Sequence, residues 1–190
     1  IPPERLKQVL KQVLDLYKER RKEKPKAKKI EEPLKPQKAK LEESIIWNVA
    51  YYITSDFDHE FGGFGSEPKF PSPDAVDFSL FMYRYTDNKG FLKIATKTLE
   101  GMIEGLEDKI EGGFYRYSVS RNWKVPHYEK MLETNAGLIM NLLHLYDQTR
   151  VDTYRDSVER ALEYVKKNLQ DSQGGFYGSQ DADEEYYKLS

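Results

Sequence analysis

The chain has 190 residues, of which 38% are hydrophobic and 33% are charged. A chain of this length can bury a core of its own, but its hydrophobic share is below and its charged share above those of an average globular domain. Part of the chain must therefore be strongly solvated. The absence of cysteine excludes disulfide bonds, thiolate zinc sites, cysteine nucleophiles and a Cys-x-x-Cys redox pair.

The first part of the chain is basic. Residues 1–40 contain 14 Lys and Arg against 6 Asp and Glu, whereas the remaining residues contain 16 against 26. Apolar residues at helical spacing predict an amphipathic helix over residues 1–24, and the Lys- and Pro-rich residues 25–37 predict a basic linker. Because acidic residues are interspersed here and the only aromatic residue is Tyr17, we do not expect nucleic acid as a partner.

The sequence also bears on location. It contains no run of about 18 apolar residues and no signal peptide, so we expect a cytoplasmic protein with no membrane partner. Because the chain begins with Ile1 rather than Met, we expect a fragment or a processed chain.

A Gly-Gly-Phe triplet occurs three times, beginning at Gly62, Gly112 and Gly174. Self-similarity at intervals of this size is typical of repeated two-helix units. Glycines ahead of an aromatic residue most simply supply positive φ angles and place the ring beneath a loop. We therefore interpret the triplets as structural.

The segments between the triplets predict two kinds of helix. Residues 74–85 and 132–146 are apolar nearly all round, which predicts buried inner helices, whereas residues 91–106 and 154–169 carry one apolar stripe and predict outer helices that cover them. A further helix is expected over residues 38–53. Short turns lead from inner to outer helices and long connections lead back, so antiparallel hairpins should gather all three triplets at one end.

This pattern predicts an all-α fold: a partial (α/α)6 toroid of about three helical hairpins, preceded by a separate helix and linker. Residues 38–190 would form the first half of the toroid, because few residues follow the third triplet. A half ring exposes apolar faces of its inner helices, so we expect a homodimer of the fragment.

The long connection over residues 110–130 carries the densest set of polar and aromatic side chains. His127 and Glu129 could serve as a proton-transfer pair, and a cation could hold an anion near a helix N-terminus. The structural alternative is that the rings are core residues and that Glu129 pairs with a nearby Arg or Lys. The candidate substrate-binding residues of this connection are Arg116, Trp123, Tyr128 and Lys130, and Lys69 from the long connection before it is added to them.

Two carboxylates follow the third triplet. Asp181 or Asp183 could face Glu129 across the mouth of the toroid as the second member of an acid/base pair, which glycoside hydrolysis requires. The alternative is a solvated acidic turn. Their spacing is similar to the start of a calcium loop, but the glycine at the sixth position is absent, so we expect neither a metal site nor a cofactor.

Several motifs in order carry a family resemblance. They are GGFGSEPKFP at 62–71, RYSV at 116–119, VPHYEKML at 125–132, GFY at 175–177 and QDAD at 180–183. Together they resemble the YyaL-like family of thioredoxin-domain proteins, which includes a mammalian spermatogenesis-associated member. The resemblance covers residues 40–185.

The resemblance implies a thioredoxin-like domain followed by a toroid similar to six-hairpin glycosidases and N-acylglucosamine 2-epimerases. Residues 1–24 would then be the tail of that missing domain, and the thioredoxin-like domain of the full-length chain would be a partner. Four positions depart from the family pattern: Glu67 stands where Ala is usual, Tyr115 where His is usual, and Ser120 and Thr134 where Asp is usual. These departures favour an altered or inactive member of the family.

Two functional hypotheses follow. The first is a carbohydrate-related hydrolase or 2-epimerase-like enzyme, in which Glu129 and Asp181 or Asp183 act as acid and base on a sugar-like small molecule and His127 assists. The alternative is a noncatalytic docking or scaffold domain attached to a thioredoxin-like redox domain, which fits the absence of cysteine in this chain.

Overall fold

The computed structural model describes residues 2–22 and 42–182, and contacts divide the chain into two compact units, Ile1–Glu42 and Glu43–Ser190. In the first unit, helix α1 spans Pro3–Lys22, where the sequence predicts a helix. Proline suits the first turn because the N–H that it lacks would have no helical partner there. The predicted linker over residues 25–37 lies outside the described residues.

The second unit is built mainly from helices. Its described helices are α2 (Ser44–Asp56), α3 (Pro73–Thr86), α4 (Lys89–Gly105), α5 (Leu132–Thr149) and α6 (Asp152–Tyr164), which continues into a π-helical turn at Val165–Leu169. Two antiparallel ladders lie in the connections: β1 (Tyr117–Ser118) pairs with β2 (Pro126–His127), and β3 (Lys130–Met131) pairs with β4 (Ser179–Gln180). The predicted all-α class is confirmed.

Tight turns join α3 to α4 and α5 to α6. Asp87 and Arg150 end α3 and α5 in the left-handed conformation, with φ of 53° and 58°, and each donates its backbone N–H to a carbonyl of the last turn. The Asn88 side chain then caps α4 by accepting a hydrogen bond from the Gly90 N–H at 2.9 Å. These are the short inner-to-outer turns that the sequence predicts.

Helices α3 and α5 lie side by side, with α4 packed on α3 and α6 packed on α5. The inner helices are not buried all round, because Phe81, Met140 and Leu143 are 38%, 51% and 39% exposed on the side away from α4 and α6. These exposed apolar side chains agree with the expectation for a half ring. The core lies between the layers and includes Val76, Leu80, Leu99, Met102, Leu138, Leu142 and Tyr164.

Helix α2 spans Ser44–Asp56 rather than the predicted residues 38–53. Of the predicted first residues, 38–41 lie outside the described residues, and Glu42 and Glu43 are not helical. In its last turn the hydroxyls of Thr54 and Ser55 donate hydrogen bonds to carbonyls one turn back.

The long connections meet at one end of the second unit. Backbone bridges join Lys69 to Ser118, and Lys130 to Gln180, so three consecutive connections touch. The gathering of the Gly-Gly-Phe loops at one end is confirmed.

Candidate functional site

Each Gly-Gly-Phe turn is closed by an aspartate a few residues upstream. The backbone N–H of this aspartate donates to the carbonyl of the second glycine, and its carboxylate accepts N–H groups from within the turn. The carboxylate therefore accepts hydrogen bonds from backbone N–H groups that find no carbonyl partner within the tight loop. The three aspartates are Asp58, Asp108 and Asp171.

The second glycine of the first two turns leaves room for a ring. A Cβ on Gly63 would lie 2.4 Å from Trp123, and a Cβ on Gly113 would lie 2.4 Å from Tyr164. Both glycines also have positive φ, 77° and 74°, a region that side chains disfavour. The structural interpretation of these triplets is confirmed.

Lys69 lies beneath the first turn and is fully buried. Its ammonium donates to Asp58 Oδ2 at 2.5 Å and to the Gly62 carbonyl at 2.8 Å, and lies 5.3 Å from the centroid of the Trp123 ring. Trp123 is 1% exposed and donates its indole N–H to the Phe61 carbonyl at 3.0 Å. The prediction that Lys69 and Trp123 bind substrate is therefore corrected, because both are sealed from solvent and support the loop.

Lys130 repeats this arrangement beneath the second turn. Its ammonium is buried, donates to Asp108 Oδ2 at 2.6 Å and to the Gly112 carbonyl at 3.1 Å, and lies 4.4 Å from the centroid of the Tyr164 ring. The prediction of substrate binding by Lys130 is corrected for the same reason. The pairing of Lys130 with Glu129, weighed as an alternative, is replaced by pairing with Asp108.

The buried aspartates are held in the charged form. Arg121 donates to both carboxylate oxygens of Asp58 at 2.8 Å. Burial by itself raises the pKa of Asp58, but hydrogen bonds from Arg121 and Lys69 outweigh burial and hold this pKa well below its usual range. Burial likewise raises the pKa of Asp108, but the hydrogen bond from Lys130 and those from the backbone N–H groups of Ile110 and Glu111 together outweigh burial and lower this pKa. These aspartates are supports rather than proton donors.

Three aromatic rings stack on the first ladder. Side chains alternate along a strand, so the burial of Lys69 and Ser118 turns their neighbours Phe70 and Tyr117 to the opposite face. The ring centroids of Phe70 and Tyr117 are 4.8 Å apart, and those of Tyr117 and His127 are also 4.8 Å apart, with interplanar angles of 27° and 12°. The stack runs across three backbone segments.

Two candidate carboxylates come directly beyond the strand ends of the second ladder, which pairs β3 with β4. Lys130 pairs with Gln180 across this ladder, and both side chains meet Tyr164, whose hydroxyl donates to Gln180 Oε1 at 2.6 Å. Glu129 and Asp181 come directly beyond this pair, so strand alternation directs both away from Tyr164.

Arg116 links the two ladders. Its Nη1 donates to Glu129 Oε2 at 2.7 Å, and its backbone N–H donates to the Glu129 carbonyl at 2.7 Å. The side chains are 43% and 18% exposed, so this ion pair lies at the surface. We use the name rim face for the candidate groups on and beside the two ladders: Phe70, Arg116, Tyr117, His127, Glu129 and Asp181.

Two further predicted residues border the rim face. His127 Nδ1 is buried and has no hydrogen-bond partner among the residues that the structure describes, which marks it as a place for water or a ligand group. Tyr128 packs against the core and lies edge-on to Tyr115 at 5.4 Å, so we assign it a supporting position. Asp183 lies outside the described residues.

Within residues 2–22 and 42–182, no three His, Asp or Glu side chains lie together as metal ligands would. Sequence reasoning missed the supporting aspartates Asp58 and Asp108. Their signal is an Asp four residues before the first glycine of the first two turns, whereas Asp171 stands three residues before Gly174. Reasoning from the sequence also did not find that Phe70 and Tyr117 stack, which only the strand pairing reveals.

The hairpins and their gathered loops define the class of protein, an α/α-toroid domain. A sugar epimerase from a ruminal bacterium has a similar structure, with a TM-score of 0.62 at 18% identity over 73% of this chain and 40% of its own. A cellobiose 2-epimerase from Spirochaeta thermophila matches with a TM-score of 0.61 at 15% identity, over 74% of this chain and 40% of its own. A GH76 α-mannanase from Bacteroides thetaiotaomicron matches with a TM-score of 0.55 at 19% identity, over 66% and 37%. At these identities the similarity establishes the fold.

The chain is homologous to Spermatogenesis-associated protein 20. It is 39% identical to the human protein over 137 residues, which are 69% of this chain and 17% of that protein. It is 34% identical to an uncharacterized Caenorhabditis elegans protein over 149 residues, 74% of this chain and 20% of that one. The chain therefore spans a fifth or less of the curated relatives that it matches. No protein-family model matches it, and none of the described helices is long and apolar enough to cross a membrane.

Proposed function

We propose that the rim face binds a carbohydrate and performs proton transfer on it. The observation that carries this proposal is the part-exposed ion pair of Arg116 and Glu129, which adjoins in sequence the stacked rings of Tyr117 and His127. Strand alternation beyond the second ladder would turn Asp181 to the same side as Glu129. The similar solved structures support the ligand class, because they include sugar epimerases, a mannose isomerase and a mannanase.

The ring stack would hold the sugar. An aromatic face packs against the apolar C–H face of a sugar ring, and Phe70, which is 47% exposed, presents such a face to solvent. Arg116 would bind sugar hydroxyls, because a guanidinium has five N–H donors and the contact with Glu129 occupies one of them.

Glu129 would be the proton-transfer group, with His127 beside it and Asp181 as the second carboxylate. Two reactions suit this set. Glycoside hydrolysis uses a pair of carboxylates that flank the scissile bond. Epimerisation uses a base that removes the proton from the carbon next to a carbonyl, after which a proton returns to the other side of that carbon. Asp183 is retained as an alternative to Asp181.

The two reactions have separate readouts in one experiment. The intact chain is incubated in D2O with cellobiose and D-mannose, and with a mannan, and 1H NMR follows loss of the sugar C2–H signal and release of reducing ends. Either change supports the proposal, and Glu129→Gln should slow it by about 100-fold or more. Glu163→Gln, on the outer helix α6, is the matched control and should change neither rate. Unchanged turnover in Glu129→Gln would contradict the assigned role, and no turnover in the unmodified chain would contradict the catalytic proposal.

The burial of Lys69, Trp123 and Lys130 favours a second candidate function, a noncatalytic domain that docks a thioredoxin-like domain of the full-length protein. These three residues, which the sequence predicts to contact substrate, then only support the loops. This candidate predicts that the chain binds neither cellobiose nor D-mannose by calorimetry. Saturable binding of either sugar would exclude it.

A further inference from the structure

The inner helices share a polar seam that the rim face does not use. Helices α3 and α5 touch at Pro73 and Gly137, where a Cβ on the glycine would lie 2.8 Å from the proline ring. Asn141 and His144 follow one and two turns further along α5, and Asp77 stands one turn beyond Pro73 on α3. The seam therefore becomes polar beyond the point of contact.

Asp77 holds the His144 ring in place. His144 Nδ1 lies 2.6 Å from Asp77 Oδ1, and the two side chains are 32% and 47% exposed. Because the carboxylate occupies Nδ1, the second ring nitrogen, Nε2, is left for a group outside the pair. In the neutral tautomer whose Nδ1–H donates to Asp77, Nε2 is an acceptor that suits a hydroxyl donor.

Asn141 provides a second, independent sign of a ligand. Its side chain is 2% exposed, and its Oδ1 has no hydrogen-bond partner within the part of the chain that the structure describes. A buried amide oxygen without a donor is uncommon in folded proteins. A water or ligand hydroxyl entering the seam would satisfy it.

An aromatic surface adjoins the seam on α3. Asp77, Phe81 and Tyr85 recur at intervals of four residues, so they follow one stripe of the helix. The rings of Phe81 and Tyr85 are 9° from parallel with centroids 5.7 Å apart, and they are 38% and 52% exposed. Flat rings beside hydroxyl-binding groups suit a sugar ring, which has an apolar C–H face and a polar edge.

We propose that Asp77, His144, Asn141 and Phe81 form a second carbohydrate-binding site, on the side of the inner helices away from α4 and α6. His144 Nε2 accepts a hydrogen bond from a sugar hydroxyl, the Asn141 carbonyl receives another directly or through water, and Phe81 packs against the ring. The ligand class rests on the proposed function of the rim face, but the residues are separate.

The chain has three histidines, so histidine NMR signals separate the two sites. Cellobiose and D-mannose are titrated into the intact chain, and the Cε1–H signals of His59, His127 and His144 are followed. The inference predicts a saturable shift of His144 with at least one sugar and no shift of His59. Phe81→Ala should weaken the binding reported by the His144 signal about tenfold. His144→Gln removes that signal, so its affinity is measured by calorimetry and should also fall about tenfold, with His59→Gln as the matched control.

The outcomes distinguish this inference from the proposed function. A shift of His127 without a shift of His144 overturns the second site and leaves the rim face supported. A shift of His144 alone supports the second site and argues against the rim face. If His144→Gln lowers the unfolding midpoint but leaves sugar affinity unchanged, the pair with Asp77 only joins two helices and the inference fails.

Discussion

Lys130 and Asp108 form a buried ion pair, with Nζ and Oδ2 2.6 Å apart, beneath the second Gly-Gly-Phe turn. Lys69 and Asp58 form the equivalent pair beneath the first turn, at 2.5 Å. In each pair the lysine also bonds the carbonyl of the first glycine. In both of these Gly-Gly-Phe turns, a buried lysine ammonium therefore joins the loop that carries the lysine to the turn above it.

Removing one member of a buried pair leaves the other charge without compensation. We expect Lys130→Met to lower the free energy of unfolding by about 3–5 kcal/mol, because Asp108 would remain buried and charged. Chemical denaturation of the purified chain measures this loss. Lys124→Met is the matched control, because its ammonium is 3.9 Å from Glu104 at the surface, and it should change stability by less than about 1 kcal/mol. Equal losses in the two variants would refute the assignment of Lys130 as a support.

Acid should destabilise the hairpin unit through its buried aspartates. The pKa values of Asp58 and Asp108 are lowered from the ordinary 3.8 in the folded chain. A carboxylate of this kind stabilises the fold fully above its unfolded pKa, and this contribution is lost as pH falls through the folded pKa. We therefore expect the free energy of unfolding to fall with acidification below pH 3.8. Arg121→Gln should make this fall shallower, and an unchanged acid slope in Arg121→Gln would count against its hydrogen bonds to Asp58.

The glycines of the turns should differ in tolerance. Gly113→Ala places a methyl group 2.4 Å from Tyr164 at a φ of 74°, and we expect a loss of about 2–4 kcal/mol from overpacking and strain. Gly175→Ala is the matched control, because no atom lies within 4 Å of its Cβ position. Thermal unfolding of both variants measures the difference, and similar midpoints would contradict the packing of Tyr164 beneath the second turn.

Arg116 should matter more for ligand binding than for folding. Its ion pair with Glu129 lies at the surface, so Arg116→Gln should cost less than about 1 kcal/mol of stability. The same change removes donors from the rim face, and we expect sugar affinity measured by calorimetry to fall about tenfold, the equivalent of one lost hydrogen bond. A large loss of stability with unchanged sugar affinity would mean that the ion pair of Arg116 and Glu129 only supports the fold, and would contradict its role in ligand binding.

The fold was largely predictable because apolar periodicity reports which side of each helix is covered. The half ring predicts exposed apolar faces on the inner helices, but the apolar pattern alone does not say that Phe81 and Met140 lie on them, because both helices are apolar nearly all round. The lysines were misassigned for a related reason. Lys69 and Lys130 find their aspartates 11 and 22 residues upstream, across different loop lengths, so no fixed spacing reveals the pairs.

The rim face was predictable only in part. Glu129, His127 and Arg116 stood out as polar residues in a long loop, and the structure brings Glu129 and Arg116 into contact. The stack that includes Phe70 depends on backbone pairing between residues far apart in the chain. Two-residue strands leave no recognisable pattern in a sequence, so this part required the fold.

The most direct test of the central claim follows the His127 Cε1–H signal while cellobiose and D-mannose are titrated to about 10 mM, which would fill a site with a Kd near 1 mM. The rim face predicts a saturable shift of this signal with at least one sugar, weakened in Tyr117→Ala and retained in the Glu163→Gln control. No shift of His127 with either sugar, in a chain whose other signals show it to be folded, would contradict carbohydrate binding at the rim face.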